Sequence, residues 1–260
     1  MRELKFLIAL WKTNLAAAME YRAAFISQSI GMILNDGVYF VIWIIFFDRF
    51  KDIRGWGLTD MFIVFGVSAS AFGLAGLIFG NSFHLADIIV NGRLDYYLSL
   101  PRPTLLHVLA SRTVLSSAGD FLYGFISFAA SGQFSPVGLA RFLLGVLLAT
   151  AVFVGFLVII ESLAFWAGTG GYFGGLAVNA IVTFALYPIT LFDQTARFLL
   201  FTIVPAAFMG AIPAGFVRGF SWTLLGEMAL AAVIFVTLAI VVFQLGLRRY
   251  ESGSAIQVEV

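Results

Sequence analysis

Cysteine is missing altogether from the 260 residues. That excludes a disulfide framework and thiolate chemistry, and it leaves the redox compartment unmarked. Charge is scarce too, at 11% of residues against roughly 25% in soluble domains. Lysine occurs only as Lys5, Lys12 and Lys51, none of them in a G-x-x-x-x-G-K-[ST] phosphate-cradling loop, so the chain has no such nucleotide site. The net charge of +1 gathers no basic face, and nucleic acid is not an expected partner. His84 and His107 are the only histidines. A metal site needs three or four clustered ligands, and His84 with Asp87 one turn away does not supply them.

What remains is apolar: 61% of the residues are hydrophobic and 29 of them are phenylalanine. A bilayer-crossing helix needs about 20 mostly apolar residues. The sequence predicts six: 24–47, 61–79, 105–130, 142–165, 176–192 and 225–245. No region between them is large enough for a second domain, so the expected architecture is one all-α transmembrane domain over 1–260. Residues 1–22 form an amphipathic helix instead. Leu4, Leu7, Ile8, Trp11, Leu15 and Met19 make its apolar stripe, and Arg2, Lys5, Lys12 and Glu20 lie largely off it, as in a helix lying in the headgroup plane. Lys12, Glu20 and Arg22 interrupt the N-terminal apolar run, so a cleaved signal peptide is not expected.

The segment 193–222 is apolar but short, broken at Pro205 and Pro213 and bracketed by Arg197 and Arg218. If it enters the membrane and returns, nine of the fifteen Lys and Arg residues fall on the N-terminal side; if it crosses, eight do. Cytoplasmic flanks favour Lys and Arg, so the re-entrant reading is preferred, with both termini cytosolic. The second span carries Gly66, Ser70, Gly73 and Gly76, which allow close helix approach. The glycines between 168 and 175 lack the G-x-G-x-x-G spacing and read as a turn.

Asp36 and Asp120 are each expected near the middle of a span, where a carboxylate costs roughly 2.5–3.5 kcal/mol. Arg112 is two turns from Asp120 on the same predicted helix. These three could line a path, pair across an interface, or serve a structural ion pair. His107 and Ser111 are also one turn apart, but they read as interfacial polar residues. The longest polar stretch, 81–103, can form a short helix over Leu85–Val90, stopped by Asn91-Gly92, and another turn over Arg93–Leu98 before Pro101 and Pro103. Such a helix suits docking into a groove of another protein.

The run Asn91-Gly92-Arg93-Leu94-Asp95-Tyr96-Tyr97-Leu98-Ser99-Leu100-Pro101 resembles a G-x-L-D-x-x-L-x-x-P signature of type-2 ATP-binding-cassette permeases, in the subgroup of small six-span exporters. Leu186-Tyr187-Pro188, the Ile203–Ala214 stretch and Gly246-Leu247-Arg248-Arg249-Tyr250-Glu251-Ser252-Gly253 resemble that subgroup in the same order. The resemblance implies an interfacial helix, six spans, and a re-entrant pair before the last span. It further implies a second permease chain, identical or a sister, two separate ATPase subunits that carry ATP and Mg, and a place in the bacterial inner membrane. It points to His84, Asp87, Ile88, Arg93, Leu94, Asp95, Tyr96 and Tyr97 as the ATPase-coupling loop, with Glu161 and the following turn nearby. The implied activity is outward, ATP-driven transport by a subunit that is not itself an enzyme, and the 29 phenylalanines suit an amphipathic or hydrophobic substrate. The alternative is a gradient-driven carrier that uses Asp36 and Asp120.

Overall fold

A computed structural model describes residues 2–168 and 171–250. Gly170 of the glycine-rich turn and Glu251, Ser252 and Gly253 of the C-terminal signature lie outside the described residues. Within them the chain is helical, with one isolated bridge, Ile53 to Trp56, around the Arg54-Gly55 turn. Both turn residues have positive φ, 49° and 85°, which suits glycine and strains Arg54.

Helix α1 spans Arg2–Glu20 and α2 Arg22–Arg49. Helix α3 spans Leu58–Ile78, and α4 (Leu85–Val90) and α5 (Leu94–Leu98) follow in the polar loop. Next come α6 (Thr104–Ala110), α7 (Ser117–Ala130), α8 (Pro136–Ser162) and α9 (Ala164–Ala167). The remainder is α10 (Tyr172–Ala185), α11 (Gln194–Thr202), α12 (Ala211–Arg218) and α13 (Trp222–Leu247). Among the described residues four stretches are long and apolar enough to cross a membrane, α2, α3, α8 with α9, and α13, and the bent pair α11–α12 makes a fifth if counted as one span. The protein is an all-α, multi-pass membrane protein.

Two of the six expected spans are not single long helices. The third is broken between α6 and α7, and the cause lies on a neighbouring helix. Gly76 and Gly80 leave room for the chain to come against the end of α3. There the Gly80 N–H donates to the Arg112 carbonyl at 3.0 Å, the Val114 N–H to Gly76 at 2.9 Å, and the Thr113 hydroxyl to Leu77 at 3.0 Å. The backbone groups freed by the break thus find protein partners, the condition for irregular backbone at membrane depth. The fifth is short because Pro188 disfavours helix at Tyr187, and α10 ends at Ala185. That helix starts earlier than expected as well, at Tyr172, so Gly174 and Gly175 are helical and not part of a turn. Helix α8 also begins before the expected Phe142, because Ser135 caps the Gly138 N–H at 3.0 Å and Pro136 takes the first helical position.

Helix α3 is central, packed by α7, α8 and α12, while α13 lies on α8 and α2 on α7. The small residues expected to permit close approach do so: a Cβ at Gly73 would fall 2.7 Å from the Ser117 carbonyl, and Gly66 meets the Gly124 carbonyl at 3.0 Å. Helix α2 is the least covered span. Its outward Ile30, Leu34, Val38, Val41 and Ile45 face away from the protein.

The molecule has two distinct ends. At one, Glu3 of α1 pairs with Arg102 at 3.1 Å, and the 80–103 loop, the end of α8, the start of α10 and Tyr250 gather. At the other, Arg54 bonds the Thr190 carbonyl, and Arg218 bonds the Gly55 carbonyl and pairs with Asp60 at 2.9 Å. Arg197 also reaches Thr190, at 3.2 Å. Residues at both ends of the α11–α12 segment therefore meet the same end of the molecule, and the two helices are bent by 73° at the break that contains Pro205. Pro213 lies inside the first turn of α12, where its missing N–H leaves no gap.

Candidate functional site

The 80–103 loop is folded against the protein as a platform. Leu85, Ala86, Ile88, Ile89 and Leu94 are buried on Val108, Leu109, Val158, Ala239 and Phe243. Asn91 ends α4 and Gly92 turns the chain with φ 69°, as the Asn-Gly pair predicts. Of the residues named for coupling, Ile88 and Leu94 point inward and hold the platform. Arg93 and Tyr96 are exposed, and His84, Asp87, Asp95 and Tyr97 are half-buried. The outer surface is completed by Val90, Asn91, Leu98 and Ser99.

Two carboxylates lock this platform to the next loop. Glu161, 2% exposed at the end of α8, accepts a hydrogen bond from the Ala86 N–H at 2.7 Å. In return Asp87 accepts from the Gly171 N–H, at the start of α10, at 3.3 Å. Both bonds give a carboxyl acceptor to a backbone N–H that the start of a helix leaves free. Gly174 is required here, because a side chain at that position would collide with the Glu161 carboxylate. Spacing in sequence gave no sign of this interlock, since Ala86 and Glu161 are 75 residues apart.

On the far side of the platform the Tyr97 hydroxyl and the Ser111 hydroxyl are 2.8 Å apart, and Asn81 donates to Ser111 at 2.8 Å. His107 is buried between the rings of Phe6 and Tyr97, with centroids 4.9 and 5.2 Å away. No hydrogen bond joins it to Ser111 among the described residues. Burial, together with Arg112 and Arg93, holds the His84 pKa below its usual range, and Asp87 only partly opposes them. Burial, with Asp95 beside it, pushes the Tyr250 hydroxyl up to about 12. That tyrosine sets the end of α13 on the platform, its ring edge-on to Phe165.

The second feature is a cavity of about 620 Å³ between α2, α3 and α10. Asp36 and Asp120 both line it, within electrostatic reach of each other. Asp120 is 3% exposed, and neither Asp36 Oδ2 nor Asp120 Oδ2 meets a donor among the described residues. The break before α7 places Asp120 in the first turn of a helix, not mid-span as expected, where the helix dipole favours a carboxylate. Aromatic walls come from Tyr39, Trp43, Phe46, Phe65, Phe72 and Tyr187, and Asn179 and Thr183 add polar groups from α10. Arg112 does not join this site. It lies in the break and faces a separate, smaller cavity, and it forms no ion pair with Asp120 among the described residues.

A multi-pass helical bundle with a folded polar platform at one end and an apolar cavity within is the architecture of a membrane permease. The family described as ABC-2 family transporter protein matches residues 33–254, and the chain belongs to it. It is a transport permease, the membrane component of a system that works with ATPase subunits. No curated protein matches the chain, and no solved structure does.

Proposed function

We propose that the chain is the permease subunit of an ATP-driven exporter in a bacterial inner membrane. It works with two ATPase subunits that carry ATP and Mg and with a second permease, and both its termini are cytosolic. The carrying observation is the platform. A loop pinned to α8 and α10 through Glu161 and Asp87 transmits a push to the spans, where a loose loop would absorb it. In this reading Arg93 and Tyr96 meet the ATPase, and the outward apolar face of α2 meets lipid or the partner permease. The α11–α12 segment enters from the outer side and returns, which agrees with Arg54, Arg197 and Arg218 meeting at one end.

The cavity favours an amphipathic cargo that carries positive charge. Its aromatic walls suit an apolar or cationic body, and two carboxyl groups that each leave Oδ2 without a donor among the described residues would be compensated by a cation between them. In vesicles that hold the complete transporter, D36N and D120N should each reduce efflux of a lipophilic cation such as tetraphenylphosphonium by about tenfold, the effect of roughly 1.4 kcal/mol. Efflux of a neutral aromatic analogue should change little. Equal loss for both cargoes would remove the charge-selective reading. A gradient-driven carrier is the second reading, because the same two acids line one cavity; transport that follows the proton gradient without ATP would establish it.

A further inference from the structure

Beneath the platform lies a second cavity of about 300 Å³, lined by Asn81, His84, Arg93, Tyr97, Ser111 and Arg112, with Ile88 behind them. No carboxylate lines it. The two ion pairs of the described residues use Arg102 and Arg218, so Arg93 and Arg112 are not neutralised there. Both line the cavity beside His84, and both oppose its protonation. Asp87 is the acid that acts on His84 among the described residues, and its Oδ1 accepts from the Gly171 N–H.

The floor is built, not incidental. The Ser111 hydroxyl donates to the Val108 carbonyl at 2.8 Å and meets the Tyr97 hydroxyl at 2.8 Å. Asn81 donates both to the Val108 carbonyl, at 2.9 Å, and to Ser111. The wall that carries Arg112 is the break between α6 and α7, fixed by the bond from the Gly80 N–H to the Arg112 carbonyl. A continuous helix would not have put this guanidinium at the end of α3. Helix α1 lies alongside, where the Trp11 indole donates to the Ile78 carbonyl at 3.0 Å and Asn14 reaches Thr113 at 3.3 Å. An amphipathic helix at this level places the cavity beside the boundary of the spanning region.

We propose that this cavity binds a phosphate group. Two guanidinium groups that form no ion pair among the described residues line one cavity with hydroxyl and amide groups, the chemistry that recognises phosphate oxygens. The shared chemistry belongs to the headgroup of an anionic phospholipid and to free phosphate. The lipid is the source the boundary position favours. The site ties the break in the third span to the coupling platform, so its occupant bridges the two.

The test uses the purified full chain and does not depend on transport. Wild type and R93Q/R112Q are extracted from phosphatidylcholine vesicles with and without phosphatidylglycerol. Retained lipid is weighed by native mass spectrometry, and thermal unfolding is followed with added phosphatidylglycerol or inorganic phosphate. The expected result is selective retention of phosphatidylglycerol by wild type and about tenfold weaker retention by the variant, the loss of a charge-assisted pair. Stabilisation by inorganic phosphate without lipid preference would assign the site to the free anion and keep the proposal. Should R93Q/R112Q fail to fold, R112K serves instead: it keeps the charge and loses the fork, and it should retain less lipid than wild type. Equal retention by wild type and variant overturns the proposal.

Discussion

The carboxylate of Glu161 accepts a hydrogen bond from the backbone N–H of Ala86 at 2.7 Å, and through it the end of α8 carries the start of the platform. The bond is buried and made across a gap in sequence that no local preference would close. It converts a polar loop into a rigid lever.

Gly174→Ala should break that lever. The added methyl group occupies the place of the Glu161 carboxylate, which must leave the Ala86 N–H unbonded in a buried setting, at a cost of about 1–3 kcal/mol. Glu161→Gln keeps an acceptor oxygen and should cost less. Thermal unfolding of the purified chain and ATPase stimulation by cargo are the measurements. G174A should lower both, E161Q chiefly the second, and a G174A chain as stable as wild type would show that the contact is slack.

The seam between α3 and α7 should tolerate no added bulk. A side chain at Gly73 would press on the backbone at Ser117 and Phe121, which cannot swing away. Gly73→Leu should therefore destabilise the fold by about 1–3 kcal/mol or prevent insertion. Gly31→Leu on α2, where nothing lies within 4 Å of an added Cβ, should be silent. Expression and unfolding temperature of the two variants check this directly.

Stability should decline on acidification through His84. Folded His84 takes a proton less readily than an unfolded histidine because burial and the two arginines oppose the charge. Its contribution is therefore full above the usual histidine range near pH 6.5 and is lost as pH falls below it. In H84Q that part of the decline should vanish. Unfolding temperatures of the two proteins between about pH 8 and pH 5 measure it, and parallel curves would remove His84 from the account.

Tyr96→Ala tests the outer surface of the platform. Tyr96 is exposed and covers little of the chain's own core, so the fold should be unaffected. Co-purification of the ATPase subunit should fall several-fold, about 1 kcal/mol or more for an aromatic anchor. Undiminished association would move the docking surface away from α5.

Much of this fold is legible in the sequence because membrane spans are long and apolar, and because Asn91-Gly92 marks a helix end locally. The small residues of α3 announce close packing before its partner is known. The break at Arg112 is not legible. Residues 105–130 are apolar enough for one helix, and the cause of the break, Gly76 and Gly80, sits on another element. For the same reason Arg112 and Asp120 read as neighbours on one face, yet the fold sends them to different cavities. Gly174 reads as a turn residue until Glu161 is placed against it. The shared cavity of Asp36 and Asp120 is not legible either, because it depends on how α2 meets α7.

The most direct measurement is cargo uptake into inverted vesicles that contain the chain with its ATPase subunits, with the chain alone, and with both but a non-hydrolysable nucleotide. The account predicts accumulation against a gradient only when chain, ATPase and hydrolysable ATP are all present. Accumulation by the chain alone, driven by a proton gradient, would contradict it.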